Sequence, residues 1–303
     1  MMHMELLKLI ESIRSPFFDA AFGLITRLGE ESVVVAVLCA VFWCINKKTT
    51  YITGMSFFLS GLTVQGMKIC FRVERPWVID PSMSPVASAM AHSTGYSFPS
   101  GHTQSATALF GALFLIAKRI PQKLLCVVII FFVAFSRMYL GVHTIYDVTA
   151  SVAVGVLFIF LTFRFVTFDA VVKKHELIRT LILLLYCAAA IAIAAGLHMN
   201  GLIEKNYLSD CLKAAGAGIG FAVGMYIERV YIDFSVRTKS IFGQIVKYAA
   251  GLAGVIVILQ LPKLLPGMGF IVDITKYFLL LMWVMALYPL IIKARINQSC
   301  TDS

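Results

Sequence analysis

Charged residues are scarce in this sequence. Asp, Glu, Lys and Arg make up 14% of its 303 residues, against about 25% in a soluble domain. That shortage excludes a soluble domain large enough to bury a core of its own. Cys-x-x-Cys pairs are absent. The seven cysteines (Cys39, Cys44, Cys70, Cys126, Cys187, Cys211 and Cys300) are odd in number and lie mostly inside apolar segments. They read as small buried hydrophobes, not as a disulfide or zinc framework. Basic runs are missing too; the cations come as scattered pairs such as Lys47-Lys48 and Lys173-Lys174. The net charge of +10 therefore points away from nucleic acid and toward basic loops on one membrane face. The N-terminus lacks a basic region followed by a clean apolar stretch and a cleavage site, so no removable signal peptide is expected.

What the sequence has is hydrophobicity: 59% of residues are apolar, in stretches that recur from Ser32 to Ile292. A helix needs roughly 20 apolar residues to cross a bilayer core of about 30 Å, and helices satisfy their backbone within one segment. The fold class expected is all-α, a polytopic transmembrane helical bundle. Nine spans are expected at about 32–46, 51–71, 102–118, 122–140, 144–166, 178–198, 210–231, 245–265 and 269–292, the start of the first being open toward the N-terminus. The segment 4–28 mixes Lys8, Glu11, Arg14, Asp19 and Arg27 with Leu, Ile and Phe, the pattern of an interfacial amphipathic helix. The expected division is 1–31 as that segment, 32–170 as a functional core and 171–303 as additional helices. Fifteen of the 26 Lys and Arg residues fall in alternate breaks, from Lys47-Lys48 to Lys293 and Arg295. Those breaks share one face, which the positive-inside rule makes cytoplasmic.

Three clusters on the opposite side carry chemistry. The third along the chain runs Ser136-Arg137 to Gly141, His143 and Asp147. His143 and Asp147 are four apart, so on a helix they share a face one turn apart. The carboxylate then holds one imidazole nitrogen and leaves the other unprotonated, as a nucleophile requires. Gly141 can end the preceding helix in a left-handed cap, and Arg137 returns to the same mouth. The bland alternative is an interfacial histidine near a stray acid. The second cluster, Phe98-Pro99-Ser100-Gly101-His102-Thr103, places Ser100 and Gly101 just before a helix. A helix N-terminus offers free N–H groups to an anion, and His102 in the first turn is placed to protonate a leaving alkoxide. An ordinary N-cap would look the same. In the first cluster Lys68 and Arg75 are two helical turns apart, and Pro76 pushes Arg75 toward an extended conformation. Both cations suit phosphate; snorkelling at a helix end is the alternative, and the better one for Arg72. Ionisable residues gathered at membrane depth are costly and usually functional.

Taken together, these residues resemble the three-part signature of the type 2 phosphatidic acid phosphatase superfamily: Lys-x(6)-Arg-Pro, then Pro-Ser-Gly-His, then Ser-Arg-x(5)-His-x(3)-Asp. Every signature position is matched between Lys68 and Asp147. The resemblance implies that His143 attacks phosphorus and carries the phosphoryl group, and that Asp147 orients it. His102 would protonate the leaving group and then activate water. Lys68, Arg75, Ser100, Gly101 and Arg137 would hold the phosphate oxygens. It also implies no cofactor and no metal, and no cluster of Asp, Glu and His at metal-ligand spacing appears. Within the superfamily the substrate is a lipid phosphate or diphosphate: phosphatidate, isoprenoid diphosphate or sphingoid phosphate. A sugar phosphate, as in glucose-6-phosphatases, is the alternative enzyme reading. A lipid transporter or binding protein with a vestigial site is the alternative from another class.

The 72–98 loop is the natural place for substrate selection, with Trp77, Asp80 and Tyr96 as candidates and His92 as an exposed loop histidine. In the last third, Gly216, Gly220 and Gly224 share one helix face. Small residues at this spacing allow close helix contact in lipid, within the chain or in a homodimer seam, the former being preferred. The expected location is a bacterial cytoplasmic membrane with the site on the extracytoplasmic face; the expected partners are the bilayer and a phosphorylated lipid.

Overall fold

A computed structural model of the chain describes residues 2–91, 93, 95–165, 173–238, 240–264 and 269–301. Among these residues the only regular secondary structure is helical. In order, the helices are α1 (Met2–Ser12), α2 (Pro16–Ile25), α3 (Glu31–Ala40), α4 (Lys47–Phe71), α5 (Pro76–Ile79), α6 (Ala87–Ala91) and α7 (Gly101–Ile116). They continue with α8 (Ile120–Tyr139), α9 (Ile145–Phe165), α10 (Lys173–Met199), α11 (Lys205–Ile227), α12 (Ile241–Leu264), α13 (Gly269–Met282) and α14 (Tyr288–Thr301). A 3₁₀ turn (Thr26–Gly29) follows α2, and π turns follow α3, α11 and α13.

Among the described residues each of the nine expected spans is largely helical, but five helices are long and apolar enough to cross a membrane. The number becomes six if Pro16–Gly29 and Glu31–Ile45, bent by 52°, form one broken span. The difference has a physical cause. α7 is only 16 residues long and buries Thr103, Gln104, Ser105 and Thr107. α4 carries Thr49, Thr53, Ser56 and Ser60, all buried. Helices enclosed by other helices do not need the hydropathy of a lipid-facing one. The lipid-facing pattern appears instead on α8, where Ile120, Leu124, Leu125 and Phe131 are exposed, and on α9, where Val156, Leu157 and Phe160 are. The N-terminal stretch is likewise two helices and a 3₁₀ turn where one interfacial helix was expected. Ser15 caps α2 by accepting from Phe18 N, with Pro16 in its first turn.

The chain divides into two compact units, 1–35 with 59–165, and 36–58 with 166–303. The N-terminal segment thus joins the functional core. In the first unit α7 packs on α8 and α9, and α1, α2 and the 3₁₀ turn pack on α8. A core of Leu7, Ile10, Met83, Met138, Tyr139, Leu140 and Val142 joins α1 to the loop after α5 and to the end of α8.

The second unit takes in 36–58 because buried contacts hold it there. Trp43 Nε1 donates to Val284 O at 3.0 Å, and Glu228, fully buried, accepts from Lys47 at 2.9 Å and from Tyr51 Oη. Glu176 pairs with Arg179 at 2.7 Å and Arg229 at 2.8 Å. Several cations counted as loop charges in the sequence are therefore buried: Arg179, Arg229 and Lys247. The Gly216, Gly220 and Gly224 stripe faces α13 and the π turn after it in the same chain. A Cβ would stand 2.6 Å from Ile274 O, 2.5 Å from Phe278 O and 2.6 Å from Met285 Cβ, respectively. The close approach those glycines permit is used inside the chain, where a homodimer seam was the alternative.

Candidate active site

Local backbone chemistry delivers each signature cluster to one place in the first unit. α4 ends where Arg72 turns left-handed (φ 51°). The chain is then extended through Arg75 (φ −70°, ψ 152°), which caps α5 ahead of Pro76, as the Arg-Pro step predicts. α8 ends at Tyr139, and Gly141, at φ +76°, reverses the chain as expected of a glycine in that position. Val142 N and His143 N then close on Arg137 O at 3.1 and 3.3 Å.

One expectation needs correcting. His143 and Asp147 do not share a helix face, because α9 begins only at Ile145. The pair is joined instead by a cap. Thr144 N donates to Asp147 Oδ2 at 2.7 Å and Asp147 N donates to Thr144 Oγ1 at 3.4 Å, a reciprocal arrangement of the capping-box kind. That folds the residue before the cap back over the first turn and brings His143 Nδ1 to 3.4 Å from Asp147 Oδ2.

Asp147 is further held by Ser97, whose Oγ donates to Asp147 Oδ2 at 2.6 Å and lies 3.5 Å from His143 Nδ1. Ser97 is fully buried, and its N–H is tied to Val73 O at 2.8 Å. Sequence reasoning missed it. A serine in a loop has no spacing to mark it; the one signal is its place three residues before the anion-binding turn.

The other imidazole nitrogen reports the tautomer. His143 Nε2 lies 2.9 Å from Arg75 Nη1. A guanidinium only donates, so Nε2 accepts and the ring proton sits on Nδ1, toward Asp147 and Ser97. Burial, followed by the charges of Arg75, Arg137, Lys68 and His102, holds the His143 pKa well below the ordinary histidine value. The ring is therefore neutral with its lone pair turned to a cation. Arg75 touches the ring, and Arg137, Lys68 and His102, the other charged residues predicted for the site, act on it through their charge. Arg75 is itself fixed by donating to Gly95 O and Val142 O, both at 2.9 Å.

The second cluster meets the third through backbone. Ser100 caps α7, Gly101 opens the helix and His102 lies in its first turn. Ser100 N donates to Asp147 O at 3.1 Å, and Ser151 Oγ donates to both Ser100 O (2.8 Å) and Asp147 O (2.9 Å). The N-termini of α7 and α9 are thereby tied together. A Cβ on Gly101 would meet nothing within 4 Å, so a ligand can approach that backbone closely. Arg137 is buried, donating through Nη1 to Thr26 Oγ1 at 2.9 Å and through Nη2 to Ser93 Oγ at 3.0 Å.

The selection loop is less uniform. The Arg75 guanidinium lies 5.8 Å from the Trp77 ring centroid, which puts Trp77 at the site. Tyr96 is half-buried beside Ser97. Asp80 is engaged elsewhere: Lys8 of α1 pairs with it at 2.7 Å and Ser82 donates to it, which draws its pKa down to about 2. Asp80 therefore anchors α1 to the loop. His92 lies outside the described residues. Among the described residues no three His, Cys, Asp or Glu side chains gather as metal ligands would.

A tetrahedral oxyanion suits donors fixed in this way, and a neutral imidazole beside it suits attack on its central atom. In a helical chain with membrane-length apolar helices, that defines the class: an integral membrane phosphatase. Comparison with known proteins gives the family. Residues 49–170 match the PAP2 superfamily, and residues 212–299 match the transmembrane extension of PAP2 superfamily phosphatases. The two stretches take in about two thirds of the chain, which belongs to the PAP2 superfamily. It is 28% identical over 182 residues to phosphatidylglycerophosphatase B of Bacillus subtilis, covering 54% of this chain and 81% of that one. It is 27% identical over 161 residues to dihydrosphingosine 1-phosphate phosphatase of Saccharomyces cerevisiae, covering 49% of this chain and 38% of that one. Among solved structures, a transmembrane PAP2-type phosphatidylglycerolphosphate phosphatase from Bacillus subtilis aligns with a TM-score of 0.47 and 23% identity, over 55% of this chain and 87% of that one.

Proposed function

We propose that this chain hydrolyses a lipid phosphate or diphosphate through a phosphohistidine formed on His143. The observation that carries the reading is the His143 tautomer, with Nδ1 toward Asp147 and Ser97 and Nε2 toward Arg75. The Nε2 lone pair attacks phosphorus as the bond from phosphorus to the substrate alkoxide breaks. His102 gives its proton to that alkoxide. Positive charge developing on the His143 ring is balanced by Asp147. In the second step His102 takes a proton from water, the resulting hydroxide attacks phosphorus, and Nε2 departs with its electron pair, restoring His143. Lys68, Arg75, Arg137 and the Ser100–Gly101 backbone stabilise the charge on the transferring group, commonly the largest catalytic effect. With the cations in that part, no metal ion is required.

Phosphatidylglycerophosphate and sphingoid phosphates head the candidates, supported by the names of the relatives, and sugar phosphates come after them. The site is assigned to the extracytoplasmic face. The test is phosphate release from a panel of phosphatidylglycerophosphate, phosphatidate, sphingosine phosphate, isoprenoid diphosphate and glucose 6-phosphate, in detergent with a chelator present. Turnover of a lipid member that disappears in His143→Ala supports the proposal. No turnover of any member, or parent and variant alike, ends it. A cysteine placed in 82–90 should label from outside intact cells; labelling only after lysis reverses the orientation.

A further inference from the structure

We infer that Thr26, acting with Ser93, is a positioning residue for Arg137, so that the turn between α2 and α3 forms a working wall of the phosphate site. The inference rests on the function proposed above. Thr26 and its turn lie upstream of 49–170, the stretch matched to the PAP2 superfamily, whereas Arg137 and Ser93 lie within it.

The geometry is specific. A guanidinium carries five N–H donors in a rigid plane. Arg137, 3% exposed, gives one Nη1 hydrogen to Thr26 Oγ1 and one Nη2 hydrogen to Ser93 Oγ. Two acceptors on the two terminal nitrogens fix the plane. Nε is buried and has no hydrogen-bond partner among the described residues, and each terminal nitrogen keeps a second N–H, so the fixed plane retains donors for a substrate oxygen. Thr26 is itself buried, because the 3₁₀ turn Thr26–Gly29 packs on α7 and α8.

The same turn presses on the second catalytic element. A Cβ on Gly29 would stand 2.5 Å from His102 O and 3.0 Å from Val133 Cγ1. Only glycine lets the turn come this close to the first turn of α7. One short segment therefore supports both a phosphate donor and the backbone that carries His102. Fixing a long cation before substrate arrives removes an ordering cost from binding and aims its hydrogens at the transferring group.

The test compares Thr26→Val, which removes the acceptor at nearly constant volume, with Thr26→Ser, which keeps it. A hydrogen bond to a charged group is strong enough that its loss should raise both KM and the vanadate inhibition constant about tenfold. Thr26→Ser should stay near the parent, and melting temperature in detergent should hold in both. A merely structural role would lower Vmax through loss of folded enzyme and leave both constants unchanged; that result overturns the inference, as does a Thr26→Val enzyme equal to the parent. Should Thr26→Val fail to accumulate, Ser93→Ala removes the acceptor on the other nitrogen and must show the same rise, unchanged constants there being equally fatal. A parent protein with no turnover at all would overturn the proposed function, and this inference with it.

Discussion

Ser97→Ala tests whether Asp147 acts through a bonded array or alone. The 2.6 Å Ser97 bond is the shortest of those made to Asp147 Oδ2, ahead of Thr144 N at 2.7 Å and His143 Nδ1 at 3.4 Å. Donor and acceptor are both buried. A hydrogen bond to a charged group contributes about 1.5–3 kcal/mol, and about 1.4 kcal/mol is tenfold in rate. Replacing one hydroxyl by hydrogen leaves almost no cavity, so the loss should fall on orientation. The expected result is a drop in kcat of about 10- to 100-fold with KM nearly unchanged, since Ser97 bonds to the carboxylate and not to substrate. The assay is steady-state phosphate release, paired with rapid-quench measurement of phosphoenzyme, whose formation should slow in step with kcat. A double-mutant cycle adds discrimination: in an Asp147→Asn background, Ser97→Ala should cost far less than in the parent. Full additivity, or a single variant within twofold of the parent, would refute the claim that Ser97 works through Asp147.

The remaining predictions address charge and packing. Because burial and neighbouring cations depress the His143 pKa, the nucleophile stays unprotonated as pH falls through the usual histidine range, and activity should persist there as far as His143 limits it. Arg75→Gln removes the strongest of the charges that oppose protonation, so the His143 pKa rises and the acidic limb of kcat/KM moves to higher pH; a limb that stays or moves down contradicts the assignment. In the second unit, Glu176→Ala removes the carboxylate that Arg179 and Arg229 share, and breaking a buried pair in this way costs about 3–5 kcal/mol, readable as a lowered melting temperature in detergent. Gly220→Val places a side chain where a Cβ already lies 2.5 Å from Phe278 O, so the same measurement should show destabilisation, whereas Gly196→Ala, with nothing within 4 Å, should not.

Much of the site was legible because the chemistry rests on local rules. Pro76 dictates the extended Arg75, Gly141 dictates the reversal after α8, and Ser100–Gly101 dictates the start of α7. Each is a short-range backbone constraint that a sequence displays openly. Ser97 and Thr26 were not legible, since their partners are 50 and 111 residues away and a lone hydroxyl residue carries no period. Asp80 looked available for substrate because nothing in the sequence pairs it with Lys8. The count of five or six membrane-length helices differs from the nine expected for a related reason. Hydropathy reports contact with lipid, and α4 and α7 bury polar side chains within the protein, so a rule of apolar length passes over enclosed helices. The buried Glu176–Arg179–Arg229 set makes the same point for loop charges, whose signs are visible in sequence but whose partners are not.

The clustering of cations around His143 leads to one more prediction. Arg75, Arg137, Lys68 and His102 all act on one buried ring, and Asp147 is the carboxylate bonded within that group. Like charges held together destabilise a fold unless something offsets them. Part of the offset is visible: Arg75 donates to two backbone carbonyls and Arg137 to two hydroxyls. Such bonds hold the cations in place without cancelling their charge, and a bound anion would add to the offset. Vanadate or inorganic phosphate should therefore stabilise the fold as well as occupy the site. At a concentration 100 times its dissociation constant, a ligand that binds only the folded state adds about 2.7 kcal/mol. Melting temperature in detergent should rise with vanadate in the parent and in His102→Ala, which keeps the three permanent cations. It should rise much less in Arg75→Gln, which loses one. An equal rise in all three proteins, or none in the parent, would mean that the cations are assembled for something other than a phosphate-sized anion.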